Sequence, residues 1–243
     1  MILLSDVAKA RYSDARADLD GLETFVTKYE DRFEETFTAE GRDALSIDEK
    51  TKLLNLSALA GARQLTWASV HAINDGLASA LFLATRAHAE MTGLVAYLLL
   101  RLREHRTGAL SADAFETLLG RLHLGRLHGL QELAPELVAQ VQALPVGKLV
   151  AAVDTISSLP EPHQNAFKDA WAWLSEFCHP NSLARVLAGQ RLEGRTMRFL
   201  REPIATSLEI STAVGYACIS HDMFFRCFDE VTSLVGRGRR DTQ

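Results

Sequence analysis

Apolar residues recur along this chain at helical spacing, and one stretch, Leu77 to Leu100, is apolar on almost every side. A helix apolar all round belongs inside a bundle, where each face meets a neighbour. Upstream, Val7, Tyr12, Leu19, Leu22, Phe25, Val26, Tyr29, Phe33 and Phe37 mark one face of a helix over 5–38 whose opposite face is acidic. Ser46 and Glu49 have capping-box spacing, in which each side chain bonds the other's free backbone N–H. They predict a helix start ahead of Leu53, Leu54, Leu56 and Leu59. A further helical run from about Leu65 leads into the central stretch, with a break near Asn74-Asp75-Gly76. The central helix continues through Arg101 and Arg103 and ends by Gly108.

Ser111 is a good N-cap for a helix from Ala112 to about His123. The segment RLHLGRLHGL (121–130) reads as a connection. Pro135 and Pro145 suit first helical turns and predict short helices at 135–143 and 146–157. SSLPEPH (157–163) is a linker, and the helix after it carries Phe167, Trp171, Trp173, Leu174 and Phe177 up to His179. Pro180 stops that helix, because the residue before a proline is pushed out of the α region. An irregular excursion follows to Glu202, with an alternating run at 195–200 that fits a short hairpin. A last helix runs from Pro203 to about Val235. The fold expected is therefore all-α: a multi-helix bundle around a central apolar helix, with a small irregular or short-hairpin excursion near 183–202. Residues 1–50 form an acidic helical segment packing on the bundle, 51–235 the bundle itself and 236–243 a frayed tail.

Composition narrows this picture rather than changing it. Glycine and proline are sparse, at 15 and 6 residues, which favours helix over sheet. The net charge of −5 implies no overall attraction to polyanions. Residues 1–50 hold 13 acidic and 7 basic side chains, a net of −6, which leaves the remainder near +1. Within that remainder, Arg185, Arg191, Arg195, Arg198 and Arg201 cluster against a single Glu193. Such a patch is usually a solvated face; Arg195, Arg198 and Arg201 are the candidates for anion binding. Cys178, Cys218 and Cys227 are odd in number and lack metal-pair spacing, as expected of buried thiols in a reduced, cytoplasmic protein. The opening residues carry too short an apolar run for a signal sequence. Residues 77–100 are long enough to span a bilayer, but Arg86 and Glu90 would lie at its midplane, where charge is expensive, so no membrane partner is expected.

Two motifs carry candidate chemistry. Arg86 and Glu90 are four residues apart on one helix face and can bond to each other. The pair could orient a guanidinium toward an anionic ligand, although an ion pair fixing helix register is the commoner use of such groups. His88 projects about 200° away by helical geometry. In the second motif, Leu174-Ser-Glu-Phe-Cys-His-Pro-Asn-Ser182, Ser175 and His179 share a face in line with Trp171. A serine beside a histidine suggests a nucleophile and base, but neither a glycine elbow nor an oxyanion loop accompanies them. Asn181 and Ser182 suit the turn after Pro180. Glu176 and His179 have the Glu-x-x-His spacing of di-iron bundles, with Glu90 as a further carboxylate, yet no second Glu-x-x-His occurs. No metal or other cofactor is expected on that count.

The two motifs together, an Arg-x-x-x-Glu in an apolar helix and a later Leu-Ser-x-x-x-His-Pro-Asn before a loop, resemble uncharacterised bacterial all-helical proteins. These are distantly similar to the HEPN-like superfamily of defence and toxin–antitoxin domains. The resemblance covers roughly 65–230. It implies a helical domain of the defence or toxin–antitoxin kind. Active members carry an arginine, usually followed by a polar residue, with a histidine five to seven positions later on one helix. The only such spacing here is Arg121 to His128, with Leu122 after the arginine and Gly125 inside it, which departs from the active pattern. The leading expectation is therefore a bundle acting through protein contacts, as a homo-oligomer or with a partner protein. The alternative is an RNA- or nucleotide-processing enzyme in which Arg86, Glu90, Ser175 and His179 converge on one pocket.

Overall fold

The computed structural model describes residues 2–39, 45–124, 144–179, 190–199 and 205–238. Among these, eight α-helices pack as a bundle: α1 (Asp6–Arg11), α2 (Arg16–Arg32), α3 (Ile47–Asp75), α4 (Ala78–Arg106), α5 (Ala112–Leu124), α6 (Val146–Ser157), α7 (Ala166–Cys178) and α8 (Ser207–Gly238). A two-stranded antiparallel hairpin, β1 (Gln190–Glu193) and β2 (Thr196–Phe199), pairs Gln190 with Phe199 and turns at Gly194. The all-α bundle with a small hairpin excursion is what the periodicity predicts. The helix expected at 135–143 lies outside the described residues.

Local chemistry sets the boundaries of the long helices. Ser46 and Glu49 form the capping box that starts α3. Gly76 ends it in the left-handed region at φ 72°, where a side chain would be strained, and Leu77 N–H bonds back to the Ala72 carbonyl. The break near 74–76 therefore turns the chain from α3 into α4. Between Ser46 and that turn there is one helix of 29 residues rather than two runs. Asp154 on α6 replaces the missing side-chain cap of α7: its two oxygens accept the N–H groups of Phe167 and Lys168 at 2.8 and 3.0 Å.

The N-terminal segment differs from the single helix expected over 5–38. It is two helices joined by a 3₁₀ turn at Ser13–Ala15, and α2 stops at Arg32. Burial outweighs helical continuity here. Tyr12 leaves helical geometry (φ −113°, ψ 42°) and packs in the cluster that contains Leu4, Ala8 and Ala15, while Val7 stays on the outside. At the other end of the chain, α8 runs three residues beyond Val235.

Central helix α4 packs on α3, α5, α6, α7 and α8. The core it organises is in two parts. One apolar cluster gathers Leu19, Leu22, Val26, Val70, Leu81, Ile210 and Val214; the other gathers Leu54, Ala62, Val95, Leu98, Phe115, Phe224 and Phe228. Helices α2, α3, α4 and α8 each run from one cluster into the other. Gly93 on α4 permits a close backbone approach, since a Cβ there would lie 2.8 Å from the backbone of Leu149 and Val150 on α6. Gly93→Ala is expected to push α6 away and destabilise the fold by about 1–3 kcal/mol, the usual range for overpacking. Urea unfolding of the variant checks this, and an unchanged midpoint would mean that α6 moves freely.

Candidate functional site

The residues singled out from sequence come together only in part. Arg86 and Glu90 pair at 3.2 Å, as their spacing requires, but their side chains are 26% and 31% exposed rather than sealed in the core. The reason is a missed partner. Trp171 on α7 donates its indole N–H to Glu90 Oε1 at 3.1 Å, and the Arg86 guanidinium lies 5.7 Å from the Trp171 ring centroid. The Cys178 thiol is also beside Arg86: burial pushes it above its ordinary range, and the guanidinium acts the other way. Together these groups lock α7 onto α4 at a partly wet edge.

Ser175 and His179 each make their described hydrogen bonds within α7. The Ser175 hydroxyl donates to the Trp171 carbonyl of its own helix at 2.9 Å. His179 caps α7 in an extended conformation, its backbone N–H bonded to the Ser175 carbonyl, with its ring exposed. Among the anion-binding candidates, Arg195 is exposed at the hairpin turn and Arg198 pairs with Glu193 at 3.1 Å, also in solvent. Arg201 lies outside the described residues, as does His128 of the Arg121 spacing. No group of three or more His, Cys, Asp or Glu side chains that could hold a metal occurs among the described residues. No described helix is long and apolar enough to cross a membrane.

The principal polar centre is one the sequence reading passed over. His88 and Thr92 on α4, Tyr29 on α2, and Ser220 and His221 on α8 form a connected layer, every member at most 2% exposed. Tyr29 Oη lies 2.7 Å from His88 Nε2 and 3.2 Å from His221 Nδ1. His88 Nδ1 lies 2.8 Å from Ser220 Oγ, which in turn lies 2.9 Å from Thr92 Oγ1. The Thr92 hydroxyl also reaches the His88 and Ser220 carbonyls, each at 3.1 Å. The layer sits where α2, α4 and α8 pass from one apolar cluster to the other, between Val26 and Tyr29, Leu81 and Val95, and Val214 and Phe224.

Neutral imidazoles close this chain. With His221 Nδ1–H donating to Tyr29, Tyr29 donating to His88 Nε2, and His88 Nδ1–H donating to Ser220, each of these contacts has one donor and one acceptor. The reverse direction works equally well. A proton added to His88 would place a full positive charge in a buried layer of neutral hydroxyls and imidazoles, with no carboxylate in it to balance the charge. Burial pushes the His88 imidazole down to about 3, and His221 falls well below its ordinary range through burial and the neighbouring His88 ring. Burial raises the Tyr29 phenol, against a smaller lowering by Thr66. The two imidazole centroids are 3.8 Å apart. The arrangement has no exposed atom to present to a substrate; what it does is hold three helices in register.

No family model matches this chain, nor does any curated protein or solved structure.

The pH dependence follows from the depressed histidines. Unfolded histidine binds a proton near pH 6.5, whereas buried His88 does not until about pH 3. The unfolded state thus holds more protons throughout that window, and stability falls as pH falls from 6.5 toward 3. At pH 5, His88 alone should cost about 2 kcal/mol relative to pH 7.5, and His221 adds in the same direction. Urea midpoints at both pH values test this, and His88→Gln should remove its own share of the difference. Tyr29→Phe should cost about 1–3 kcal/mol at pH 7.5, because it strands two buried ring nitrogens. Arg86→Ala, at its partly wet edge, should cost only about 1 kcal/mol.

Proposed function

We propose that this protein is a non-enzymatic helical bundle that acts through protein contacts, first of all with a second copy of itself. The observation that carries this reading is an outward stripe on α8. Leu208, Thr212, Gly215 and Ile219 follow a 4-3-4 spacing that puts them in one line on a helix, the spacing of a helix–helix seam. Leu208 is 76% exposed and Ile219 57%. Tyr216 stands beside the line and packs at a tilt against Trp173 of α7, their ring centroids 5.2 Å apart, which extends the apolar surface sideways.

Gly215 argues for the kind of partner. It lies inside a helix, where glycine costs about 1 kcal/mol relative to alanine. Nothing among the described residues requires it, since a Cβ there would meet none of their atoms within 4 Å. A second helix crossing close to the backbone would require it. Another copy of α8 supplies that helix together with its own notch, and two-fold pairing at Gly215 sets Leu208 and Ile219 of each chain around the crossing. The engagement of Arg86 and Glu90 in holding α7, and of the Ser175 hydroxyl within its own helix, supports a contact role over catalysis. Bacterial stress or phage defence is the setting that the HEPN-like resemblance suggests for it.

Sedimentation equilibrium at high micromolar concentration tests the reading. Wild type should sediment as two chains and Ile219→Glu as one. Gly215→Ala should stabilise the monomer fold by roughly 0.5–1 kcal/mol while weakening self-association, a combination that a purely structural glycine would not give. A wild-type protein that sediments as a single chain would sink the proposal.

A further inference from the structure

Helix α2 lies over the buried layer as a cover. Its Phe25 ring stacks on the His221 imidazole, the centroids 5.1 Å apart. Its Tyr29 ring stands edge-on to both imidazoles, 6.2 Å from His88 and 5.6 Å from His221. Beneath this cover, α4 and α8 hold each other without help from α2. His88 Nδ1 and Thr92 Oγ1 both reach Ser220 Oγ, and the Thr92 hydroxyl also reaches the Ser220 carbonyl. Lifting α2 breaks the two Tyr29 contacts and leaves these in place.

The cover is also the more lightly fastened part. Helix α2 packs on α8 and α3, whereas α4 packs on five helices. Its remaining polar ties lie toward the rim: Glu30 to Arg63, Arg32 to Asp229, and Asp18 to the Ser211 hydroxyl. Helix α1 is held to α3 by Asn74, whose side chain bonds the backbone of Leu3 and Ser5. At Phe33 the chain leaves helical geometry (ψ 121°), so α2 does not run on into α3.

The groups around the two imidazoles decide how the cover responds to acid. From α2 come the Tyr29 phenol and Lys28, whose ammonium lies 4.8 Å from the centre of the Phe25 ring. From α3, Thr66 reaches the same phenol; from α4 and α8 come the uncharged Thr92 and Ser220. Asp222, next to His221 in sequence, is exposed. Protonating both rings in place would set two positive charges 3.8 Å apart, beside Lys28, with no carboxylate bonded to either. With α2 lifted, the rings meet water and bind protons near pH 6.5, whereas covered His88 stays neutral to about 3 and covered His221 well below its ordinary range. The open form holds more protons, so it gains on the closed form as pH falls below 6.5. Arg63 holds the Glu30 carboxylate below its ordinary range, so that tie persists through the window.

We propose that α1 and α2 act together as a cover released by mild acid, lifting from His88 and His221 while α4 and α8 stay joined. Release bares the faces carrying Val70, Ile73, Ile210 and Val214, which share one cluster with Leu19, Leu22 and Val26 of α2. The device is independent of the outward stripe on α8, so either can fail without the other.

Hydrogen exchange of the full chain, read by mass spectrometry at pH 7.5 and 5.5 and corrected for the intrinsic effect of pH, tests this. Amides of α1 and α2 should exchange faster than those of α4 and α6 at both pH values, as a locally opening unit does. Their protection should fall about a hundredfold between the two, about tenfold for each histidine uncovered. His221→Gln, or His88→Gln where the first does not fold, should cut that fall to about tenfold. Equal protection of α2 and α4 at pH 5.5 would mean that only the whole chain opens, and would overturn the proposal. Protection of α2 that does not change with pH, or that falls as steeply in the folded glutamine variant, would overturn it as well.

Discussion

Two imidazoles share one phenol hydroxyl in an interior closed to water, and the three helices that bring them there have little freedom to slide. Tyr29, His88 and His221 come from α2, α4 and α8, and none of the three can be satisfied by its own helix. A slip of α8 by one turn would carry Ser220 about 5.4 Å from His88 and strand buried nitrogen and oxygen atoms on both sides. Apolar contacts resist such a slip far less, since leucine and phenylalanine tolerate many packings of similar volume. The polar layer supplies the specificity that two greasy clusters lack. Its position at their junction makes one layer serve both.

This division of labour explains why the bundle tolerates other imperfections. The outer ion pairs that cross between helices, Arg63 with Glu30 and Arg103 with Glu230, are doubly bonded yet partly exposed, so each adds modestly. The Arg86–Glu90–Trp171 lock belongs with them, though its position on the central helix gives it the look of a site. What separates the two polar groups is exposure. Water at the α4–α7 edge shares the cost of keeping charges there, whereas the layer at the α4–α8 interface excludes water and admits only neutral rings.

The helices were largely legible in the sequence, because capping pairs and glycine stops are local. Ser46 with Glu49, Gly76, Ser111 and Pro145 mark ends that depend on a few neighbouring residues. The kink at Tyr12 was not, because its cause is burial among residues that the bend itself brings close. The candidate site was legible only as far as a single helix could carry it. Spacing alone places Arg86 on Glu90 and turns His88 elsewhere. It does not say which of the two faces lies against protein on every side, and that decides which histidine matters. A local sign did exist: His88 and Thr92 on α4, and Ser220-His221 on α8, interrupt faces that are otherwise apolar. Polar residues at core positions of several helices need one another, and their pairing could have been sought.

The same logic bears on what the surface is for. A core that spends its polar residues on register leaves chemistry to the periphery, and the periphery here is uneven. Several exposed charges face a partner of opposite sign close by. Against that background a helix interior that keeps a glycine without steric need, between two exposed aliphatic residues, goes against local helix preference. Such a violation lowers the stability of the isolated chain and is the kind of local inconsistency found at functional sites. The proposed pairing would supply that compensation at Gly215 as close contact between backbones, which a flat polar face could not provide. On that argument the proposed contact falls on the stripe rather than on the serine and histidine at the end of α7.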